Sequence, residues 1–588
     1  MDFQTDASLK MQSPASRGHG PIASFLLSAR GMRSAPAQYN GILAGWRGLA
    51  TSGEFPHAGE GEAGALLSGT DCDQQTACSE HAGSMIEKSH LTPSHSYKKL
   101  HLHGETSPAF FIAAALAAVP VWLSVFPPMV DLPQHAAQVA TFSRMWDSSY
   151  PFSSLYEINW FTPYLFGYAL IWLLAQLFPI IAAIKIVVSA AVIGFLLAGS
   201  WLRRTAGGRK EWDWLLLPIP YGFVFQWGFL NFFIGAPLVL LFVREALLLG
   251  RVYDRAHAIR LAVFAHLLFF AHILLAVFFC FVLGLRAAAL ASNFRQAFNR
   301  ILPFTAPVPI TLLWATITIF GEPQANEPVG WDWHPGRLVE FFCLPFGLDP
   351  TTANLLAGGA LFAIPFLTGG SPSKRVADWV PFVLVSIILL FLPSHVFGNY
   401  YTYQRFGLFA YPLYLIAFSS ASPASLPGYW QRASTMLLAF GIASAAVIHA
   451  SNWIKAYRFD KESRQFSEIL GAMDKDKRVL GLLFERESEF FRPPMYLHFA
   501  AWYPALRGGA TDFSFASFIP EILRYPADMQ QNWGRGADWR PTQFRWRFHR
   551  GWQYDYFIVK VDADLSRCKR LAPLPHVPSR LVRSAALA

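Results

Sequence analysis

The chain has 588 residues, of which 53% are hydrophobic, 16% aromatic and only 15% charged, against roughly 25% charged in soluble domains. One soluble core stops growing near about 250–300 residues, so a soluble chain this long needs several cores and enough charge to coat them; the composition excludes an ordinary soluble enzyme and fits a bilayer as solvent. The net charge of +10 raises nucleic acid as a partner, but many of the basic residues sit in short loops between apolar runs (Arg203, Arg204, Arg209 and Lys210; Arg255 and Arg260; Lys374 and Arg375). That is the positive-inside pattern of a membrane protein, and no nucleic-acid partner is expected.

Residues 1–104 are rich in Gly, Ser, Ala and His, contain no apolar run of spanning length and show no sustained periodicity, so they read as a disordered extension. The first fifty are Arg-containing and acid-poor like a transit peptide, without the hydrophobic stretch of a signal peptide. Met85 is an alternative start, some twenty residues before the first span.

Residues 105–452 read as the transmembrane domain. About twelve apolar runs follow one another: 108–126, 161–178, 181–202, 214–225, 232–249, 261–271, 274–290, 301–320, 355–368, 379–392, 406–418 and 433–450. Several fall short of the ~20 residues that cross a hydrocarbon core, as tilted or partly buried helices do. If the loop after the first run is external, two further crossings put the basic loop at Arg203 to Lys210 outside, against the usual bias. Either one of those runs is re-entrant or the count is off by one.

Residues 453–588 regain charge and read as a small soluble α/β domain. Residues 478–484 and 556–561 are strand-like, and 460–473 has helical spacing with Phe466, Ile469, Leu470 and Met473 on one side. Five scattered cysteines give neither a disulfide framework nor a metal site. No Walker A segment, dinucleotide fingerprint or nucleophile elbow is present.

Charge is so scarce in the apolar region that its polar positions stand out; from residue 108 to 202 only Asp131, Arg144, Asp147, Glu157 and Lys185 are charged. Asp131 and His135 lie four apart where the chain leaves the first run, with Pro133 suited to a helix's first turn. They are either helix-end and interfacial polar groups or a carboxylate and imidazole that bind or deprotonate a hydroxyl. Glu157, flanked by Tyr156, Asn159 and Trp160, is an interfacial acid or a sugar contact. The loop from 321 to 354 carries Trp331, Asp332 and His334, a solvated loop or a sugar platform with a carboxylate between indoles; Asp332 and His334 alone are too few ligands for a divalent cation. Tyr403 and Arg405 stand at the entrance to a late run, where the guanidinium is an interfacial anchor or meets a phosphate. His272 is expected at the turn between two runs and His266 in a bond between helices.

The order Asp131-Leu-Pro-Gln-His135, Gly228-Phe-Leu-Asn231-Phe-Phe-Ile-Gly235, His266 with His272, Gln404-Arg405-Phe406, and Tyr496-Leu-His498 before Arg507-Gly508-Gly509 resembles bacterial polytopic membrane proteins related to the GT-C glycosyltransferases, over roughly residues 108–565. The resemblance implies a GT-C-like helical membrane fold in the bacterial inner membrane. It further implies transfer of a sugar from a polyprenyl-phosphate donor at the external face, with Asp131 as catalytic base. The adjacent acid pair usual in that superfamily is absent, since position 132 is Leu, and Glu157 is the nearest external acid to supply the second carboxylate. On this reading His135, Trp331, Asp332, His334, Tyr403 and Arg405 bind substrate, Arg405 at the lipid phosphate, and no cofactor is implied. The alternative is a non-catalytic transporter or flippase of lipid-linked saccharide, which needs two access states and no base.

Overall fold

The computed structural model describes residues 23–28, 106–251, 254–321, 329–347, 351–396, 399–420, 428–518, 520–526, 529, 540–561 and 581–582. Of the leader at 1–104 only the backbone of strand Ala23–Ser28 falls among them; Met85 and the proposed start lie outside the described residues, as do Glu322 and Glu327 of the aromatic loop.

The apolar region is mainly helical. The first expected span is two short helices, α1 (Pro108–Leu116) and α2 (Val119–Trp122), followed by α3 (Leu132–Arg144), α4 (Leu165–Ala175) and α5 (Ile180–Ala206). Then come α6 (Phe223–Trp227), α7 (Leu230–Arg251), α8 (Arg255–Ala271), α9 (Ile273–Ala289), α10 (Phe294–Thr305) and α11 (Val308–Gly321). The series continues with α12 (Gly336–Cys343), α13 (Thr352–Leu367), α14 (Val376–Phe391), α15 (Gly407–Tyr414), α16 (Gly428–Ser463), α17 (Gln465–Ala472) and α18 (Trp502–Arg507).

Among the described residues three helical stretches are long and apolar enough to cross a membrane, Ile180–Ala206, Leu230–Gly250 and Gly428–Ala472; α10 and α11, bent by 50°, make a fourth if they count as one. Five shorter apolar helices accompany them. Four expected spans are not continuous α-helices: 108–126 is split between α1 and α2, 301–320 is broken between α10 and α11, and 214–225 and 406–418 hold little α-helix. Residues 214–225 form 3-10 turns and part of the five-residue α6, because Pro218 and Pro220 remove two backbone donors. Residues 406–418 hold only the eight-residue α15 between 3-10 turns, and every residue of α15 is buried. Elsewhere apolar side chains point outward at helical spacing, Val277, Phe281 and Leu285 on α9, and Met436, Phe440 and Val447 on α16 with the last three about 70% exposed. Such stripes fit lipid rather than water.

The basic loop that strained the topology is partly a buried ion pair. Arg203 Nε and Nη2 meet Asp213 at 2.7 and 2.8 Å, Nη1 donates to the Gly208 carbonyl, and Ser200 Oγ donates to Asp213. Both side chains are essentially inaccessible, so Arg203 is neutralised within the fold and carries little weight as a positive-inside signal. Breaking such a pair leaves one buried charge uncompensated. Arg203→Met is therefore expected to destabilise the protein by about 3–5 kcal/mol, checked by thermal unfolding in detergent, with Arg204→Met as a control near zero.

In the tail, strands Arg478–Leu483 and Tyr556–Val561 form where expected and pair in parallel, with Ala510–Thr511 on one side and Ala23–Ser28 on the other. Both faces of Arg478–Leu483 are covered: Leu480 and Leu482 join Phe557 and Val559 in a small cluster, while Val479 and Leu483 join the main core. Two-sided burial accounts for the unbroken apolar run. The tail is continuous with the helices, since residues 102–588 fall in one compact unit. Gln134 Nε2 donates to the Phe513 carbonyl and its Oε1 accepts from Phe515 N, while Gln138 Oε1 accepts from Leu523 N. Two glutamines one turn apart thus bind α3 to the segment 513–523, and Arg144 at the end of α3 pairs with Asp476.

Candidate active site

Asp131 is positioned by backbone. Its N–H donates to the Trp227 carbonyl at 3.0 Å and that of Val130 to Gln226 at 3.1 Å. This close approach depends on Gly228, which ends α6 at φ +86°; a Cβ there would lie 2.7 Å from Asp131 N. Asp131 occupies the N-cap of α3, yet its side chain makes no capping bond. The carboxylate is at the helix end without capping it, and its Oδ1 lies 3.5 Å from His498 Nε2.

Around it the fold collects polar groups that are all nearly inaccessible, His135, His272, Arg405, His498 and Glu521. His135 Nδ1 is 2.7 Å from the Tyr168 hydroxyl, which in turn donates to Glu521 Oε2. Arg405 enters from the 3-10 turn before α15. Its Nη1 is 3.3 Å from His272 Nε2, Nη2 donates to the Tyr400 carbonyl at 2.9 Å, and the guanidinium lies 3.8 Å from the Phe229 ring centre. Tyr164 Oη approaches His272 Nε2 at 3.2 Å. Among the described residues Arg405 has no carboxylate in ion-pair contact and its Nε has no hydrogen-bond partner. Asn231 of α7 packs against α4 beside this group, where Gly167 leaves room for its side-chain oxygen.

Burial dominates the electrostatics. It raises the Asp131 carboxyl well above the ordinary range, an effect that the Arg405 charge opposes and the Glu521 charge reinforces. It pushes Glu521 up to about 8, with the Tyr168 hydroxyl pulling the other way. His135 falls to about 3 through burial and the charge of Arg405, and His498 to about 3 through burial, Arg486 and His135. At neutral pH both imidazoles are uncharged and Glu521 holds its proton, while the Arg405 charge favours the ionised form of Asp131 against burial.

That proton has a consequence for stability. Between the ordinary glutamate value of 4.5 and about 8 the folded protein retains a proton that the unfolded chain has released. This contribution is complete below 4.5, shrinks as pH rises and is gone above about 8. Glu521→Gln stays neutral at every pH, so the variant should match wild type in stability near pH 4.5, lead it already at pH 6 and lead it most at pH 9, by about a few kcal/mol, read as melting temperature. A wild-type advantage that persists at pH 9 would contradict the assignment.

The structure thus brings together Asp131, His135 and Arg405 of the residues expected from sequence. Glu157 is not with them; it is exposed in a two-residue strand paired with Leu523–Arg524. The second carboxyl group is Glu521, whose carbonyl is held by Asn159 Nδ2. Trp331, Asp332 and His334 form a separate, partly exposed group. Trp331 donates to the Phe391 carbonyl, and His334 Nε2 is 3.9 Å from both Asp332 and Glu340. Tyr403 belongs to this second group, donating to Glu340 Oε2 at 2.7 Å with Arg337 over its ring. The groups meet through the turn that carries Tyr403 and Arg405. Tyr401, at φ +58°, rests on Trp227 with ring centres 4.3 Å apart, and the charges of both Asp131 and Glu340 help burial push its phenol to about 12.

His272 does mark the junction of α8 and α9, its Nδ1 accepting from Leu274 N. His266 bonds the Ala262 carbonyl of its own helix at 2.8 Å rather than a neighbouring helix. Among the described residues no three His, Cys, Asp or Glu side chains converge as a metal site. The chain matches no family model and no curated protein.

Proposed function

We propose that the protein is an integral membrane glycosyltransferase of the GT-C type, which moves a sugar from a polyprenyl-phosphate donor to an acceptor hydroxyl at the external face of the bacterial inner membrane. The observation that supports this reading best is Arg405, a buried guanidinium without a contacting carboxylate, set beside the uncapped carboxylate of Asp131. A buried cation is costly unless an anion joins it, and a lipid phosphate supplies one. The aromatic surface at Trp227, Phe229 and Tyr401 offers ring faces to a sugar. Trp331, Asp332 and His334 extend the polar surface toward the acceptor, with Tyr403 buried on Glu340 beside them, and the apolar helices, some of them short and tilted, surround a lipid donor.

In the reaction Asp131 orients the acceptor hydroxyl and takes its proton as oxygen bonds to the anomeric carbon. The bond from that carbon to the phosphate oxygen breaks, and the electron pair leaves on polyprenyl phosphate, whose charge Arg405 stabilises. A single displacement inverts the anomeric configuration. Proteoliposomes given a labelled polyprenyl-phosphate sugar should show cleavage of the sugar–phosphate bond and transfer of label. Movement of the intact lipid across the bilayer without cleavage would instead establish the flippase alternative.

A further inference from the structure

The mechanism above uses Asp131 and Arg405 and leaves three buried, hydrogen-bonded groups without a task. Glu521, Tyr168 and His135 form one continuous chain: the Tyr168 hydroxyl contacts Glu521 Oε2 on one side and His135 Nδ1 at 2.7 Å on the other. A hydroxyl has one proton, so the two contacts are coupled. With Glu521 ionised, Tyr168 donates to it and accepts from His135 Nδ1–H, leaving Nε2 bare. With Glu521 protonated, the carboxyl donates to Tyr168, Tyr168 donates to His135 Nδ1, and the neutral ring carries its proton on Nε2.

Glu521 comes from the segment that Gln134 and Gln138 tie to α3, so the helix carrying His135 also holds the far end of the chain. The groups facing the relay are few. Asp131 and Tyr164 sense Glu521, Arg405 and His498 interact with the His135 ring, and Asn231 lies beside α4. Of these, Asn231 also hydrogen-bonds the Tyr168 hydroxyl, and its amide neither gives up nor takes a proton in this range, so the proton path runs between Glu521 and His135.

We propose that Glu521, Tyr168 and His135 form a proton relay that delivers a proton to the leaving phosphate, with Glu521 and Tyr168 as positioning residues acting through His135. This rests on the glycosyltransferase reading. As the bond from the anomeric carbon to oxygen breaks, the Nε2 proton of His135 passes to a phosphate oxygen, Nδ1 takes the Tyr168 proton, and Tyr168 takes the carboxyl proton of Glu521. The relay ends with Glu521 ionised and His135 neutral in its other tautomer, while the acceptor's proton sits on Asp131, so one proton is given and one taken in each turnover. Asp131 is then the base and the relay the acid, two carboxyl groups with separate roles.

The test reads the tautomer directly and needs no turnover. Full-length protein labelled with nitrogen-15 at histidine, reconstituted in bilayers, is followed by NMR from pH 6 to 9.5, the His135 signals being assigned by their loss in His135→Gln. The expected result is a neutral ring that changes from Nε2–H to Nδ1–H with a midpoint near 8, a transition abolished in Glu521→Gln and uncoupled from Glu521 in Tyr168→Phe. A tautomer that stays the same across this range in wild type, or a transition that survives in Glu521→Gln, overturns the relay. Transfer without the transition sinks the relay alone; the transition without transfer leaves the coupled chain from Glu521 to His135 standing and sinks the glycosyltransferase reading, and with it the phosphate as the proton's destination.

Discussion

Arg405→Ala should weaken binding of sugar-free polyprenyl phosphate by roughly 10- to 100-fold, the loss of about 1.5–3 kcal/mol that a hydrogen bond to a charged group contributes. The guanidinium is held in place before any ligand arrives, by His272, the Tyr400 carbonyl and the Phe229 ring, and its buried Nε has no hydrogen-bond partner. Arg405→Lys should recover only part of the loss. An ammonium cannot keep the contacts to His272 and Tyr400 and also present a planar fork, and it stacks less well on an aromatic face. Equilibrium binding in detergent or nanodiscs checks both variants. Binding unchanged in Arg405→Ala would remove the phosphate from this position.

Gly228→Ala is expected to disable the site from a residue that touches no substrate. Alanine at φ +86° costs about 1–2 kcal/mol, and here its Cβ also meets the Asp131 backbone nitrogen at 2.7 Å. Backbone cannot rotate away as a flexible side chain does, so Asp131 must move. A displacement near 1 Å at a reacting group costs about 100-fold in rate, and a loss of at least that order is expected in transfer. Gly207→Ala provides the comparison. Gly207 ends α5 at φ +88°, but the nearest atom to an added Cβ is Ser419 Cβ at 4.0 Å. It should show the stability loss without the loss of activity. Equal activity in the two alanine variants would mean that the Asp131 position is not set by Gly228.

Scarcity of charge made part of the site readable in advance. Asp131, His135 and Arg405 stand out because little else near them in the chain is charged, and the fold gathers them together with His272. Glu521 was invisible for the opposite reason: it lies in a tail of ordinary composition, where one more acid carries no signal. What brings it to Tyr168 is the pairing of Gln134 and Gln138 with backbone groups of residues 513–523, and a glutamine's partner cannot be read from spacing. Glu157 is the acid nearest in the chain, but the strand it occupies and Asn159 hold the segment of Glu521 in place, so that stretch supports the second carboxyl group rather than supplying it. His498 belongs to a Tyr-Leu-His pattern that carries no signal of its role, and only folding sets it beside Asp131.

Helix number was harder to read than helix location. Apolar runs mark buried and lipid-facing segments alike, and hydropathy does not separate the buried α15 from the outward-facing α9 and α16. Arg203 shows the same limit for charge, counting toward topology in the sequence and cancelling against Asp213 in the fold.

The central claim is that Asp131 accepts a proton in transfer from a lipid-phosphate sugar. The direct measurement is single-turnover transfer in proteoliposomes, wild type against Asp131→Asn, with donor binding measured on the same samples. Asparagine keeps the size and hydrogen-bonding capacity but cannot take the proton. The account predicts binding within about threefold of wild type and transfer reduced by about 10²–10⁴-fold, the contribution of a positioned general base. Transfer by Asp131→Asn at the wild-type rate would contradict it.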